Sequence, residues 1–119
     1  MATSQRVSGD TKQMGKIIYG ALRQEIDLDD RAMAHLQAVV ATKLRRGEGF
    51  FLNWKDDPSV GDGHSAVWIG PNIPIFFKYY GSKQVELSRA WLEQMTMGAN
   101  SNGGLHLGDE PSLTTPIPT

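Results

Sequence analysis

Three basic residues within four positions, Lys43, Arg45 and Arg46, offer the clearest route to binding chemistry in this chain. Such a group can hold a phosphate or another anion. It would gain reach if Lys78, Lys83 and Arg89 shared its face, with Trp54, Tyr79 or Tyr80 available for stacking against bases. The same three residues also fall where a helix should end, and cations favour the negative end of a helix dipole, so a structural role accounts for them as well.

A second group, Asp56, Asp57, Asp62 and His64, surrounds Gly61 and Gly63 and could offer oxygen and imidazole ligands to a cation. Its spacing is not that of an EF-hand, and a solvated connecting loop explains it equally well. Gly61-Asp62-Gly63 lacks the Lys and Ser/Thr of a phosphate loop, and turn chemistry suffices for it. His35, His64 and His106 are far apart with no Cys to join them, so a zinc site would have to be assembled by the fold. Each is expected to be half-buried or at the surface. No Ser, Asp or His sits in the local setting of a nucleophile elbow. These readings put forward no catalytic residue, no metal ligand and no cofactor.

The elements that must position these residues show in the hydrophobic pattern. Residues 16–19, then Leu22, Gln24, Ile26 and Leu28 set against Arg23, Glu25 and Asp27, alternate with period two and read as a hairpin turning at Gly20-Ala21. Asp29 or Asp30 can cap a helix in which Met33, Leu36, Val40 and Leu44 fall on one face, with Gly47 as its stop. Phe50, Leu52 and Trp54 alternate with Phe51, Asn53 and Lys55 in a third strand, whose paired Phe residues suggest burial on both faces. Residues 64–69 and 73–80 read as another hairpin about Gly70-Pro71-Asn72, with Pro74 placing the second strand at an edge. A second helix begins near Lys83 or Ser88. Leu87, Trp91, Met95 and Gly98 repeat along it, Leu87 can staple to Leu92, and Arg89, Glu93 and Gln94 face water. Leu105-His106-Leu107 makes a last short strand. The order ββαβββαβ predicts an α+β fold, a mainly antiparallel sheet with two amphipathic helices. Phe50, Trp54, Trp68, Phe76, Phe77, Tyr79 and Trp91 are expected mostly in the core.

Composition narrows the field. In 119 residues, 39% of them hydrophobic, there is material for one modest core, so a single small domain over 15–108 is expected. It lies between a mobile leader, 1–14, and a Pro-rich flexible tail, 109–119. Twelve basic against thirteen acidic residues leave a net charge of -1, so affinity for a polyanion would need a local patch. The absence of Cys removes disulfides and thiolate chemistry. No apolar run approaches the roughly 20 residues that span a bilayer, and the polar N-terminus lacks the apolar centre of a signal peptide, so a cytoplasmic location without membrane partners is expected.

Tyr19-Gly20, residues 26–36, Lys43-Leu44-Arg45-Arg46, residues 50–54, Trp68-Ile69-Gly70-Pro71-Asn72-Ile73-Pro74, Arg89-Ala90-Trp91 and Ala99-Asn100-Ser101 with Gly103-Gly104-Leu105 form an ordered series over about residues 14–108. In that series the chain resembles a family of small actinobacterial proteins often labelled ATP-dependent DNA ligase. The label implies a Lys nucleophile in a Lys-x-Asp-Gly setting and carboxylates for a divalent metal. Lys55-Asp56-Asp57-Pro58 comes nearest and has Pro where the tight turn needs Gly. The resemblance therefore supplies a family and carries over no site residue.

Two functions follow from these readings. The first is a non-catalytic protein-interaction or self-association module, pairing through a sheet edge or an exposed aromatic surface with another protein or a second copy. The alternative is a nucleic-acid-binding accessory protein that uses the basic end of the first helix.

Overall fold

A computed structural model describes residues 14–56, 59, 61 and 63–111. The leader expected before Met14, the tail beyond Pro111, and Asp57 and Asp62 of the acidic loop lie outside the described residues. The elements run β1 (Met14–Tyr19), β2 (Gln24–Asp29), α1 (Asp30–Arg45), β3 (Phe50–Lys55), β4 (His64–Ile69), β5 (Ile75–Lys78), α2 (Arg89–Ala99) and β6 (Leu105–His106). This is the α+β order ββαβββαβ. The strands divide between two three-stranded sheets, β2-β1-β5 and β4-β3-β6.

The first hairpin forms as the alternation predicts, with Ile17 opposite Ile26, both buried. Its turn is longer than expected. Arg23 adopts φ 57° and its N–H bonds the Gly20 carbonyl, which puts Leu22 at the tip, 96% exposed, and not in the strand. The second expected hairpin is absent. β4 pairs antiparallel with β3, whereas β5 crosses to the other sheet and pairs with β1, Phe77 lying opposite Ile17. Gly70-Pro71-Asn72 does turn the chain, but a turn fixes direction and not the partner. Pro74 precedes β5 at an edge, and its carbonyl accepts the Gly20 N–H.

Each helix begins at a side-chain cap that satisfies an orphan amide. Asp29 accepts from Ala32 N, and Ser88 accepts from Trp91 N. Met33, Leu36, Val39 and Val40 of α1 are buried, as are Trp91, Met95 and Ala99 of α2, with Leu44 and Leu92 packed at the margin. Leu87 stays exposed. α1 lies against β1 and β2, α2 against β3 and β6, and the helices pack on each other. They run in the same direction: His35 stacks on Trp91 near the start of α2, and Lys43 bonds Asn100 at its end. A hydroxyl ties the sheets together, since Tyr19 donates to the Trp68 carbonyl at 2.6 Å and accepts from Gly70 N at 2.9 Å.

Candidate functional site

The six basic residues do not converge. Lys43 is buried, and its ammonium donates to Glu48 at 2.9 Å and to Asn100 at 2.6 Å, joining the C-terminal ends of both helices. That bond, with the nearby positive charge, holds the Glu48 carboxyl below its usual range. Arg45 and Arg46 are exposed beside it, Arg46 lying 3.9 Å from Glu48. Lys78, Lys83 and Arg89 belong to the other end of α1. There, buried Asp30 accepts the Tyr80 and Gly81 N–H groups at 2.9 and 2.8 Å, which pins the segment between Lys78 and Lys83. Arg89 is exposed and lies 3.8 Å from Glu93. Fifteen residues of helix separate Asp30 from Arg45, about 22 Å of axis. That is well beyond a Debye length of roughly 8 Å at physiological salt, so the two groups are separate fields. The stacking partners are dispersed as well. Tyr79 donates to Gln37, and burial first, then Asp30, raises its phenol's pKa.

Of the acidic loop, Asp56 accepts a hydrogen bond from Ser65 at 2.8 Å. Among the described residues no three His, Asp or Glu side chains come together as a metal cage. His64 and His106 are exposed. His35 corrects its expectation, being 0% exposed. Its Nδ1 lies 2.7 Å from the Arg31 carbonyl and its Nε2 accepts the Ser88 N–H at 2.7 Å. A backbone N–H can only donate and a carbonyl only accept, so the proton sits on Nδ1 and the imidazole is neutral in this arrangement. Sequence reasoning also missed Arg31. Its guanidinium clasps both oxygens of Glu110 and donates to the Glu86 carbonyl, linking α1 to two remote segments.

The aromatic residues carry the surface that stands out. Phe50 and Trp91 are core, and Trp54, Phe77 and Tyr79 are half-buried, but Phe76 and Trp68 are exposed. Phe51, expected inside, is 43% exposed because nothing described covers that side of β3 beside β4. Phe51 and Trp68 are cross-strand partners whose rings meet edge to face at 5.0 Å. The indole lies against Gly49, where any Cβ would come within 2.8 Å of its Cε2, and its Nε1 and Cδ1 lie beside Gly70. Trp68 is thus half-exposed and also packed against its own domain. On the opposite side of β4, a cleft of about 440 Å³ opens between Ser65, Ala66 and Val67 and the first hairpin, with Trp54 and Tyr19 in its walls and Leu22 on its rim.

The backbone of β4 completes this surface. Asp56 N bonds Gly63 O, and Leu107 N bonds Asn53 O on the other side of β3. By the alternation of an antiparallel ladder, the N–H and C=O groups of His64, Ala66 and Trp68 therefore point away from β3. Tyr19 occupies the Trp68 carbonyl. Among the described residues nothing bonds the backbone groups of His64 and Ala66.

Fold and surface together define a small α+β domain with an open sheet edge flanked by apolar surface on both faces. None of its described helices is long and apolar enough to cross a membrane. The chain belongs to the family described as domain of unknown function DUF7882, which matches residues 14–110. No curated protein and no solved structure matches it.

Proposed function

We propose that this domain is a non-catalytic protein-interaction module whose contact surface is the β4 edge with the Phe51–Trp68 pair beside it. The observation that carries this reading is Trp68, about half exposed yet packed against Gly49 and Phe51. A large aromatic ring already packed against its own domain has less side-chain entropy to lose when a partner covers it, which is the character of an interface anchor. An adenylating activity is no part of this reading, because Lys55 lacks the Gly that the ligase motif requires. Nor does a nucleic-acid role gain support, since Lys43 is committed inside the fold and the other basic residues stand at two ends of the helix pair.

The test compares wild-type protein with Trp68→Ser in quantitative cross-linking in cells and in purified form. The reading expects a cross-linked partner, whether a second copy or another protein, that is lost from the variant while the melting temperature holds. Cross-linking that is absent in both, or identical in both, overturns it.

A further inference from the structure

We infer that the β4 edge pairs antiparallel with β4 of a second copy of this chain, joining the two β4-β3-β6 sheets into one of six strands. The inference rests on the interaction-module reading and names its partner.

Open edges are normally guarded by charge, proline or shortness. Here β2 carries Glu25, Asp27 and Asp29, β5 follows Pro74 and ends at Lys78, and β6 has two residues. Only β4 among these edge strands is unguarded, with six residues, His-Ser-Ala-Val-Trp-Ile, and no Pro, Lys, Arg or carboxylate. Two copies of β2 would bring carboxylates together, whereas two copies of β4 set His64 against Ala66 or Trp68 and bring no like side chains of one charge into register.

Charge complementarity selects a second copy. The exposed face of the β3–β4 pair is aromatic at one end, where Phe51 pairs with Trp68, and basic at the other, where Lys55 pairs with His64. A two-fold axis normal to the sheet reverses one copy against the other. It sets the aromatic end of each beside the basic end of its partner, where ring faces and cations attract. Backbone geometry allows this at either of two centres, Ser65 or Ala66, because both keep like faces on one side and use the unbonded N–H and C=O groups of His64 and Ala66. In both registers His64 of one copy lies directly or diagonally opposite Trp68 of the other, within reach of an aromatic side chain. The Tyr19 hydroxyl, bonded to Trp68 O and Gly70 N, ends the pairing and so limits the seam to the middle of β4.

The experiment is sedimentation equilibrium on the full chain from micromolar to millimolar concentration, alongside Ala66→Pro and Ala66→Lys. Proline removes an N–H that faces the open edge and leaves the β3 ladder bonded. Lysine leaves the backbone intact and brings like charges together at the two-fold. The expected result is a wild-type dimer, with dissociation constants raised at least tenfold in each variant that retains the wild-type circular dichroism. A wild-type chain that stays monomeric at millimolar concentration overturns the inference. So does a dimer indifferent to Ala66→Lys. A monomer that still forms Trp68-dependent cross-links to a different protein would overturn the second copy alone and leave the module reading standing.

Discussion

Arg31 and Glu110 form a two-pronged ion pair across 79 positions of sequence, with Nε to Oε1 and Nη2 to Oε2 both at 2.8 Å. The guanidinium's third contact, to the Glu86 carbonyl at 2.7 Å, makes one side chain the junction of the first helix, the segment before the second helix and the end of the described chain.

Glu110→Gln should cost about 1 kcal/mol, since the pair is bidentate but partly open to solvent. Its hydrogen bond to Arg31 holds the Glu110 carboxyl below the ordinary 4.5, and Lys43 does the same for Glu48. A depressed carboxylate stabilises fully above its unfolded value and loses that contribution as pH falls through the lower folded value. Thermal melts between pH 7 and 3 should therefore show wild type losing stability below about 4.5, with a shallower decline in the variant. Parallel curves would refute the assignment.

His35→Leu should cost about 2 kcal/mol or more, because it strands the buried Ser88 N–H and the Arg31 carbonyl and disturbs the stack on Trp91. Nitrogen-15 NMR should find the neutral ring as the Nδ1–H tautomer with Nε2 bare. The opposite tautomer would contradict the hydrogen-bond directions.

Lys43→Met should lower the melting temperature by on the order of 5 °C, as Asn100 and Glu48 lose the group that joins the helix ends. Arg45→Ala and Arg46→Ala, both at exposed positions, should change stability by less than about 0.5 kcal/mol. Equal effects from all three would mean that Lys43 is not the internal strut described.

Trp91→Ala should cost about 3–5 kcal/mol, given a ring 4% exposed between the helices. Gly104→Ala should be nearly as damaging for a different reason. Gly104 sits at φ 92°, and a Cβ there would run into the Phe51 carbonyl and come within 3.0 Å of the Asn53 amide nitrogen. Urea titrations measure both, and a tolerated Gly104→Ala would show that the β3–β6 junction has slack.

What the sequence disclosed divides along local and distant causes. Asp29 and Ser88 could be read as caps because capping involves residues three apart, and the helix faces followed from the spacing of Met33, Leu36 and Val40. The partner of β5 could not be read, because the choice between β4 and β1 depends on which apolar face each finds across the core. The sequence leaves Lys43 open between an anion contact and a helix-end role, because its two partners are a loop carboxylate and an asparagine 57 positions away. Phe51 looked like core because a strand's pattern does not say whether its second face will be covered. The anchor at Trp68 had one legible signal, the small residues Gly49 and Gly70 that leave room for an indole.

The crossing of β5 has a consequence for cooperativity. β1 and β2 come from the start of the chain, but their sheet is finished only by a strand that follows β4, while the other sheet waits for β6 after the second helix. Neither sheet is a contiguous stretch of sequence. No single cut between Phe50 and His106 leaves both sheets whole, because each such cut parts β3 from β6, so the two layers should lose amide protection at the same denaturant concentration, as one folding unit.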